Sequence, residues 1–207
     1  MMTLTAPQEK MTAEEYLKMQ RSAARELTDK YEFFNHKLIP MAGGSPNHNR
    51  INRNLTYLLE DQIRRHSTQH EVFANDLRTV SHLKYKNYLY PDIVLVDGKP
   101  YFDDEKNDNL VNPLLIIEVL SDTTEGFDRG DKFKSYRLTP SIKEYILVSQ
   151  KEQSVELFYK DENDRWQIGD IIVEGVVKLQ TSPFEMLIED IYRNVDFTGI
   201  VLEDAKI

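Results

Sequence analysis

Two carboxylates and a lysine stand where chemistry is expected. Asp92 opens the run "YPDIVLV", Glu118 lies inside "PLLIIEVLS" 26 positions later, and Lys132 follows in "DRGDKFKSY". Both acidic runs read as strands, and in the second, alternation sets Glu118 on the same face as Ile116 and Leu120. A charge in an apolar row must be paired or coordinated. Strands close in sequence are often neighbours in a sheet, so the two acids could converge, and two nearby carboxylates repel unless a cation lies between them. A hard divalent ion such as Mg²⁺, which prefers oxygen ligands, suits that place. Lys132 near such an ion could orient an attacking water or stabilise charge developing on a phosphate. Tyr136 stands one helical turn further on the same face.

Plainer readings exist for each. Glu118 could form an ion pair or end an edge strand, Asp92 could be the turn residue that commonly follows a proline, and Lys132 could be a solvated helix cation beside Arg129, Lys134 and Arg137. His48 falls in line with Ile51 and Leu55 on an apolar helix stripe, the usual place of a satisfied, partly buried histidine. His66 and His70 have a spacing seen in zinc sites, yet no further ligands with suitable spacing stand near them.

The elements that must position these residues follow from pattern. "MTAEEYLKM" has Thr12 three residues before Glu15, a capping box that opens a helix. "YEFFNHKLIPM" reads as a hairpin around Asn35 and His36. Ser45 can cap a long helix with Pro46 in its first turn and an apolar stripe of Ile51, Leu55, Leu58, Leu59 and Ile63. "EVFANDLRTV", "YPDIVLV", "PLLIIEVLS", "KEYILVS" and "SVELFYK" read as strands. Asp128 is expected to cap a helix that Pro140 terminates. "RWQIGDIIVEGVVKL" reads as a strand pair and "SPFEMLIEDIY" as a closing helix. The order of helix and strand predicts an α/β domain around a mixed sheet, one domain over 1–207.

Composition narrows the functions. The 207 residues carry a net charge of -9 and no cysteine, which excludes disulfides and thiolate zinc sites. No apolar run approaches a membrane span and the polar start lacks a signal-peptide core, so a cytoplasmic protein is expected. The stretch His48–Lys86 has a charge of +3 and Lys151–Ile207 one of -7, so the first half is the better surface for a polyanion.

As a set, "YPDIVLV", "IIEVLSDTT", "DRGDKFKSY" and "IKEYILVS", with the flanking "TAEEYLKM", "YEFFNHKLIPM", "SPNHNRINRNLTYLL" and "FEMLIEDIYRNVDF", resemble the Uma-two family of restriction-endonuclease-like proteins, within the PD-(D/E)XK nuclease superfamily. The resemblance implies a restriction-endonuclease-like mixed β-sheet core flanked by helices. It also implies metal-dependent hydrolysis of DNA phosphodiesters, with Asp92 and Glu118 as ligands of Mg²⁺ or Mn²⁺. The superfamily pattern is Glu, any residue, Lys, whereas this sequence reads Glu118, Val119, Leu120. In the resembling family the lysine's role moves to the next helix, which points to Lys132. A histidine at the place of His48 and an acid at that of Glu32 also match; His48 and Tyr136 are substrate-side candidates, and Glu32 has no assigned role. Cutting both strands of a duplex calls for two sites, so a homodimer is expected. Two other readings stay open: a nuclease fold kept as a binding or oligomeric interaction module, and a metal-dependent hydrolase of a smaller phosphate ester.

Overall fold

The computed structural model describes residues 11–23, 30–41, 43–82 and 86–198; the polar first ten residues, Lys84 and the last part of the acidic tail lie outside this set. In chain order the elements are α1 (Ala13–Ala23), β1 (Tyr31–Phe34), β2 (Lys37–Pro40), α2 (Pro46–His66), β3 (His70–Ala74), β4 (Arg78–Ser81), β5 (Asn87–Leu89), β6 (Ile93–Asp97), β7 (Asn109–Leu110) and β8 (Leu115–Leu120). A helical stretch follows, made of α3 (Glu125–Phe127), a π-helical turn (Asp128–Lys132) and α4 (Phe133–Arg137). The chain then forms β9 (Glu144–Ser149), β10 (Val155–Lys160), β11 (Trp166–Ile172), β12 (Val176–Lys178), β13 (Glu185–Leu187) and α5 (Ile188–Ile191).

The strands build a six-stranded mixed sheet in the order β11-β10-β9-β8-β6-β3, with β8 and β9 parallel, and a five-stranded sheet in the order β2-β1-β5-β4-β7. Strands β12 and β13 form a separate pair. All six residues of β8 are buried, as a central strand covered on both faces requires. On one face Ile93, Leu95, Ile117 and Val119 pack with Ile51, Leu55 and Leu59 of α2. On the other, Val94, Val96, Ile116 and Leu120 meet Tyr136 of α4. The mixed sheet between helices is the α/β architecture expected from the sequence.

The local signals at the start of the chain work as read. Thr12 N–H donates to Glu15 Oε2 at 2.8 Å while Glu15 N–H donates to Thr12 Oγ1 at 3.2 Å. Asn35 and His36 both have positive φ, 48° and 64°, as a tight two-residue hairpin turn demands. Ser45 accepts from His48 N–H at 3.0 Å and caps α2.

Four expectations are corrected. "EVFANDLRTV" is two strands in two sheets, because Asn75 and Asp76 both take positive φ and break the run. Strands β11 and β12 do not pair: β11 is held by β10 in a hairpin, and β12 turns off to bury Val177 under the sheet. "SPFEMLIEDIY" is helical only over α5, because Phe184, Met186 and Ile188 enter the core at a period of two, with Glu185 and Leu187 exposed between them. Asp128 does not open the helix, which begins after Thr124; it ends α3 and lies buried in the π-helical turn, one turn before Lys132.

Candidate active site

The antiparallel register of β6 and β8 pairs Ile93 with Ile117 and Val94 with Ile116, so one step further it sets Asp92 against Glu118. The Val119 amide donates to Asp92 Oδ2 at 2.8 Å, which locks the aspartate to the neighbouring strand. On the helix side, Lys132 Nζ lies 2.9 Å from Glu118 Oε1, 3.1 Å from Glu32 Oε1 and 3.4 Å from Asp128 Oδ1. Tyr136 adds a long hydroxyl hydrogen bond to Glu118 at 3.5 Å. The three sequence-predicted residues Asp92, Glu118 and Lys132 thus come together, with His48 and Tyr136 against them.

Lys132 closes the π-helical turn, in which Asp128 and Lys132 are both buried; such turns recur at functional sites. Glu32 arrives from the other sheet and also accepts from the Tyr90 amide at 2.8 Å. The Tyr145 hydroxyl donates to the Asp128 carbonyl at 2.9 Å and fixes the turn against β9. An ammonium has three N–H donors, and here three carboxylates face it.

The other half of the site lies under the start of α2. His48 Nε2 is 3.1 Å from Asp92 Oδ1, and the Asn52 amide nitrogen donates to the same oxygen at 3.1 Å while lying 3.2 Å from His48 Nδ1. The His48 and Asp92 side chains are 16% and 18% exposed, whereas those of Lys132 and Glu118 are 6% and 4% exposed. One half of the site therefore meets solvent and the other is sealed.

Burial pushes the Glu118 carboxyl well above the usual carboxylate range, and the acids around it add to that against the pull of Lys132. Burial alone would lower the Lys132 ammonium, but Glu118 and Glu32 outweigh it and hold it charged. Burial likewise works against the Asp92 anion, and the His48 hydrogen bond with the Val119 amide brings it below its ordinary value. His48 is raised above its ordinary 6.5, Asp92 outweighing desolvation.

Four carboxylates, Glu32, Asp92, Glu118 and Asp128, thus share one ammonium and one imidazole. That surplus of negative charge on hard oxygen donors fits a divalent cation such as Mg²⁺ or Mn²⁺. In addition, Asn52 Oδ1 is buried with no hydrogen-bond partner. Among the described residues no three His, Asp or Glu side chains are already grouped as a metal-holding set.

Glu32 and Asn52 belong to the cluster and carried no assigned role in the sequence, and Asp128, expected only to cap a helix, belongs to it too. Glu32 alone had a signal, its match to the family pattern. The two histidines with zinc-like spacing lie elsewhere. His66 and His70 pack their rings on Phe184, at 5.8 and 5.1 Å. Arg78 is buried against Asp108, and Arg64 and Arg65 sit about 24 Å along α2 from His48. Of the five arginines between His48 and Lys86, Arg64, Arg65 and Arg78 therefore lie away from the site, while Arg50 and Arg53 share the first turns of α2 with His48 and Asn52 and bond Asn47 and Asn54.

Comparison with known proteins agrees with this architecture. Residues 13–189 match the family model Uma2, described as "Putative restriction endonuclease". The chain is 36% identical to the Synechocystis protein sll1609 over 84% of this chain and 94% of that protein, and 29% identical to slr1290 of the same organism over 93% and 97%. Both are described as uncharacterized. A crystal structure of a "putative nuclease belonging to DUF820" from Anabaena variabilis superposes with a TM-score of 0.68 at 17% identity, over 88% of this chain and 97% of the other, which establishes a shared fold.

Proposed function

The chain belongs to the Uma2 family, and from that premise we propose that it is a metal-dependent DNA endonuclease with Asp92, Glu118 and Lys132 as its catalytic residues. The observation that carries the reading is the convergence of Asp92 and Glu118 from neighbouring strands with the Lys132 ammonium 2.9 Å from Glu118. Asp92 and Glu118 would hold Mg²⁺ or Mn²⁺. When bound, the ion supplies Lewis acidity and charge neutralisation at the phosphoryl group.

The remaining work belongs to the chain's own groups. Lys132 brings a permanent positive charge toward the phosphate, and its longest contact, to Asp128, is the one it gives up to face a substrate. His48 and Asn52 orient the Asp92 carboxylate from the solvent side. Tyr136 holds Glu118 from the sealed side. The reading includes one domain, acting as a homodimer so that two sites meet the two strands of a duplex, in the cytoplasm. Among the described residues no helix is long and apolar enough to cross a membrane.

A second reading is favoured by one specific feature. Lys132 already engages three carboxylates in a sealed box, as it would in a chain that kept the fold and serves as an interaction module.

The test is nicking of supercoiled plasmid at low salt with Mg²⁺ or Mn²⁺, comparing the native protein with Glu118→Gln of matched melting temperature. Cutting that disappears in the variant supports the endonuclease. Absence of cutting with a bound cation moves the reading to a smaller phosphate ester, and absence of both leaves the interaction module.

A further inference from the structure

Two lysines border the solvent side of the site, Lys30 held by Asp76 and Lys151 by Asp122, with Glu125 3.8 Å from the Lys151 ammonium. On the β3 side, the Asn75 amide donates to the Asp92 carbonyl at 2.8 Å, and the next residue, Asp76, pairs with Lys30. The Lys30 ammonium also lies 6.0 Å from the centre of the Tyr90 ring. On the β9 side, Asp122, two residues past the end of β8, pairs with Lys151 at 2.6 Å. Lys151 lies in the turn between β9 and β10, beside Gln150, which accepts from the Ser45 hydroxyl at the cap of α2. The sheet order places Glu118 on β8, and Asp92 at the entry to β6, between β3 and β9. Three strand spacings separate those outer strands, about 14 Å.

We infer that Lys30 and Lys151 are phosphate-binding residues on either side of the reacting linkage, so that the substrate is a nucleic-acid strand with phosphodiesters flanking the one attacked. The inference deepens the proposed active site and rests on it. A nucleic-acid strand carries phosphates on both sides of the linkage attacked, so it can present one to each lysine at once. A lone small ester cannot touch both.

The present partners are easily exchanged. Lys30 and Asp76 are 48% and 75% exposed, Lys151 and Asp122 58% and 77%, and exposed pairs of this kind hold weakly. A phosphate, doubly coordinating and followed by others, displaces such a carboxylate at little cost. Arg129, by contrast, is committed to Glu156 through two hydrogen bonds of 2.8 and 2.6 Å, and Arg78 is buried, so neither is free to serve. With a net charge of -9, the protein as a whole does not attract a polyanion, and Asp76 and Asp122 mask these two lysines.

The experiment measures binding of a fluorescent 20-base-pair DNA duplex by anisotropy between about 50 and 200 mM salt, using the full chain carrying Glu118→Gln so that the probe stays intact. Lys30→Gln and Lys151→Gln are each expected to lower the slope of log affinity against log salt by about 0.9, and together by about 1.8. Asp76→Asn with Asp122→Asn is expected to tighten binding several-fold more than Glu162→Gln with Asp170→Asn. That control pair makes the same charge change on exposed residues with no ion pair among the described residues. Unchanged slopes in the lysine variants, equal tightening by both pairs, or a duplex that does not bind at all overturns the inference. Plasmid cutting by the native protein and its loss in Glu118→Gln reports on the active site separately, so a cutting enzyme with unchanged slopes refutes the lysines alone.

Discussion

The two halves of the site are built from the same pair of strands and differ in every physical respect. Around Glu118, four charged side chains from β1, β8 and the π-helical turn exclude water and hold one another. Around Asp92, a histidine and an asparagine from α2 reach a carboxylate that solvent also reaches. The sealed half fixes a lysine at a strand that carries none of its own; the open half leaves an oxygen-rich face toward a substrate. A site that must bind an ion and a phosphate needs both, since charge acts most strongly where water is excluded and ligands must still enter. The difference also separates stability from activity, because only the sealed half binds together elements of both sheets.

The largest expected effect is therefore on Lys132. Lys132→Ala leaves three buried carboxylates without their cation, a change that costs about 3–5 kcal/mol and lowers the melting temperature by ~10 °C. Differential scanning calorimetry checks it, and a shift below ~2 °C would show that the box is not the clamp described here. Glu118→Gln comes next and splits the two properties. It removes one acid from a set with surplus negative charge and leaves Glu32 and Asp128 on Lys132, so the stability change is about 1 kcal/mol in either direction. Cutting is expected to fall at least ~100-fold, and isothermal titration with Mn²⁺ is expected to show weakened binding.

In the open half the readout is a titration. His48 is raised above its ordinary 6.5 by Asp92, so the pair's contribution to stability is complete below about pH 6.5 and is lost as pH rises through the raised value. In the metal-free protein, Asp92→Asn should bring the His48 titration, followed by NMR of the ring, down toward or below 6.5. Denaturant unfolding of native and variant should differ most at about pH 6 and converge at about pH 9. A His48 titration indifferent to Asp92→Asn would mean that the two groups do not interact in solution.

How much of this was legible in the sequence follows the range of the contacts. The Thr12–Glu15 box, the Asn35–His36 turn and the Ser45 cap lie within four residues, and their residue types announce the geometry. The apposition of Asp92 and Glu118 was legible because each residue sits at a definite place in an apolar strand, where register leaves little freedom. Asn52 and Asp128 were not: an asparagine on a helix looks like a solvated residue, and an aspartate ahead of a helical run looks like its cap, until strands far along the chain close over them. Glu32 meets Lys132 across 100 positions, and no local pattern encodes that pairing. The π-helical turn was equally hidden, since its sequence DRGDK suits an ordinary helix start. Periodicity was misread at "SPFEMLIEDIY", where the alternating Phe184, Met186 and Ile188 were present all along.

The smallest effect expected is also the one that acts on the open half alone. A Cβ placed on Gly44 would lie 2.8 Å from His48 Nδ1 and 3.3 Å from Cγ, too close for the ring to keep its place. The ring is a side chain with rotational freedom, so Gly44→Ala displaces it instead of unfolding the helix start, and the loss of backbone freedom in the unfolded chain offsets part of the cost. The melting temperature is then expected to move by no more than ~3 °C. The His48 titration should fall toward its ordinary value, since the ring leaves the 3.1 Å contact with Asp92. If cutting falls as well while Lys132 and Glu118 are untouched, the orientation of Asp92 by His48 matters to the reaction; if the titration moves and cutting does not, the sealed half with the Val119 amide holds Asp92 well enough by itself.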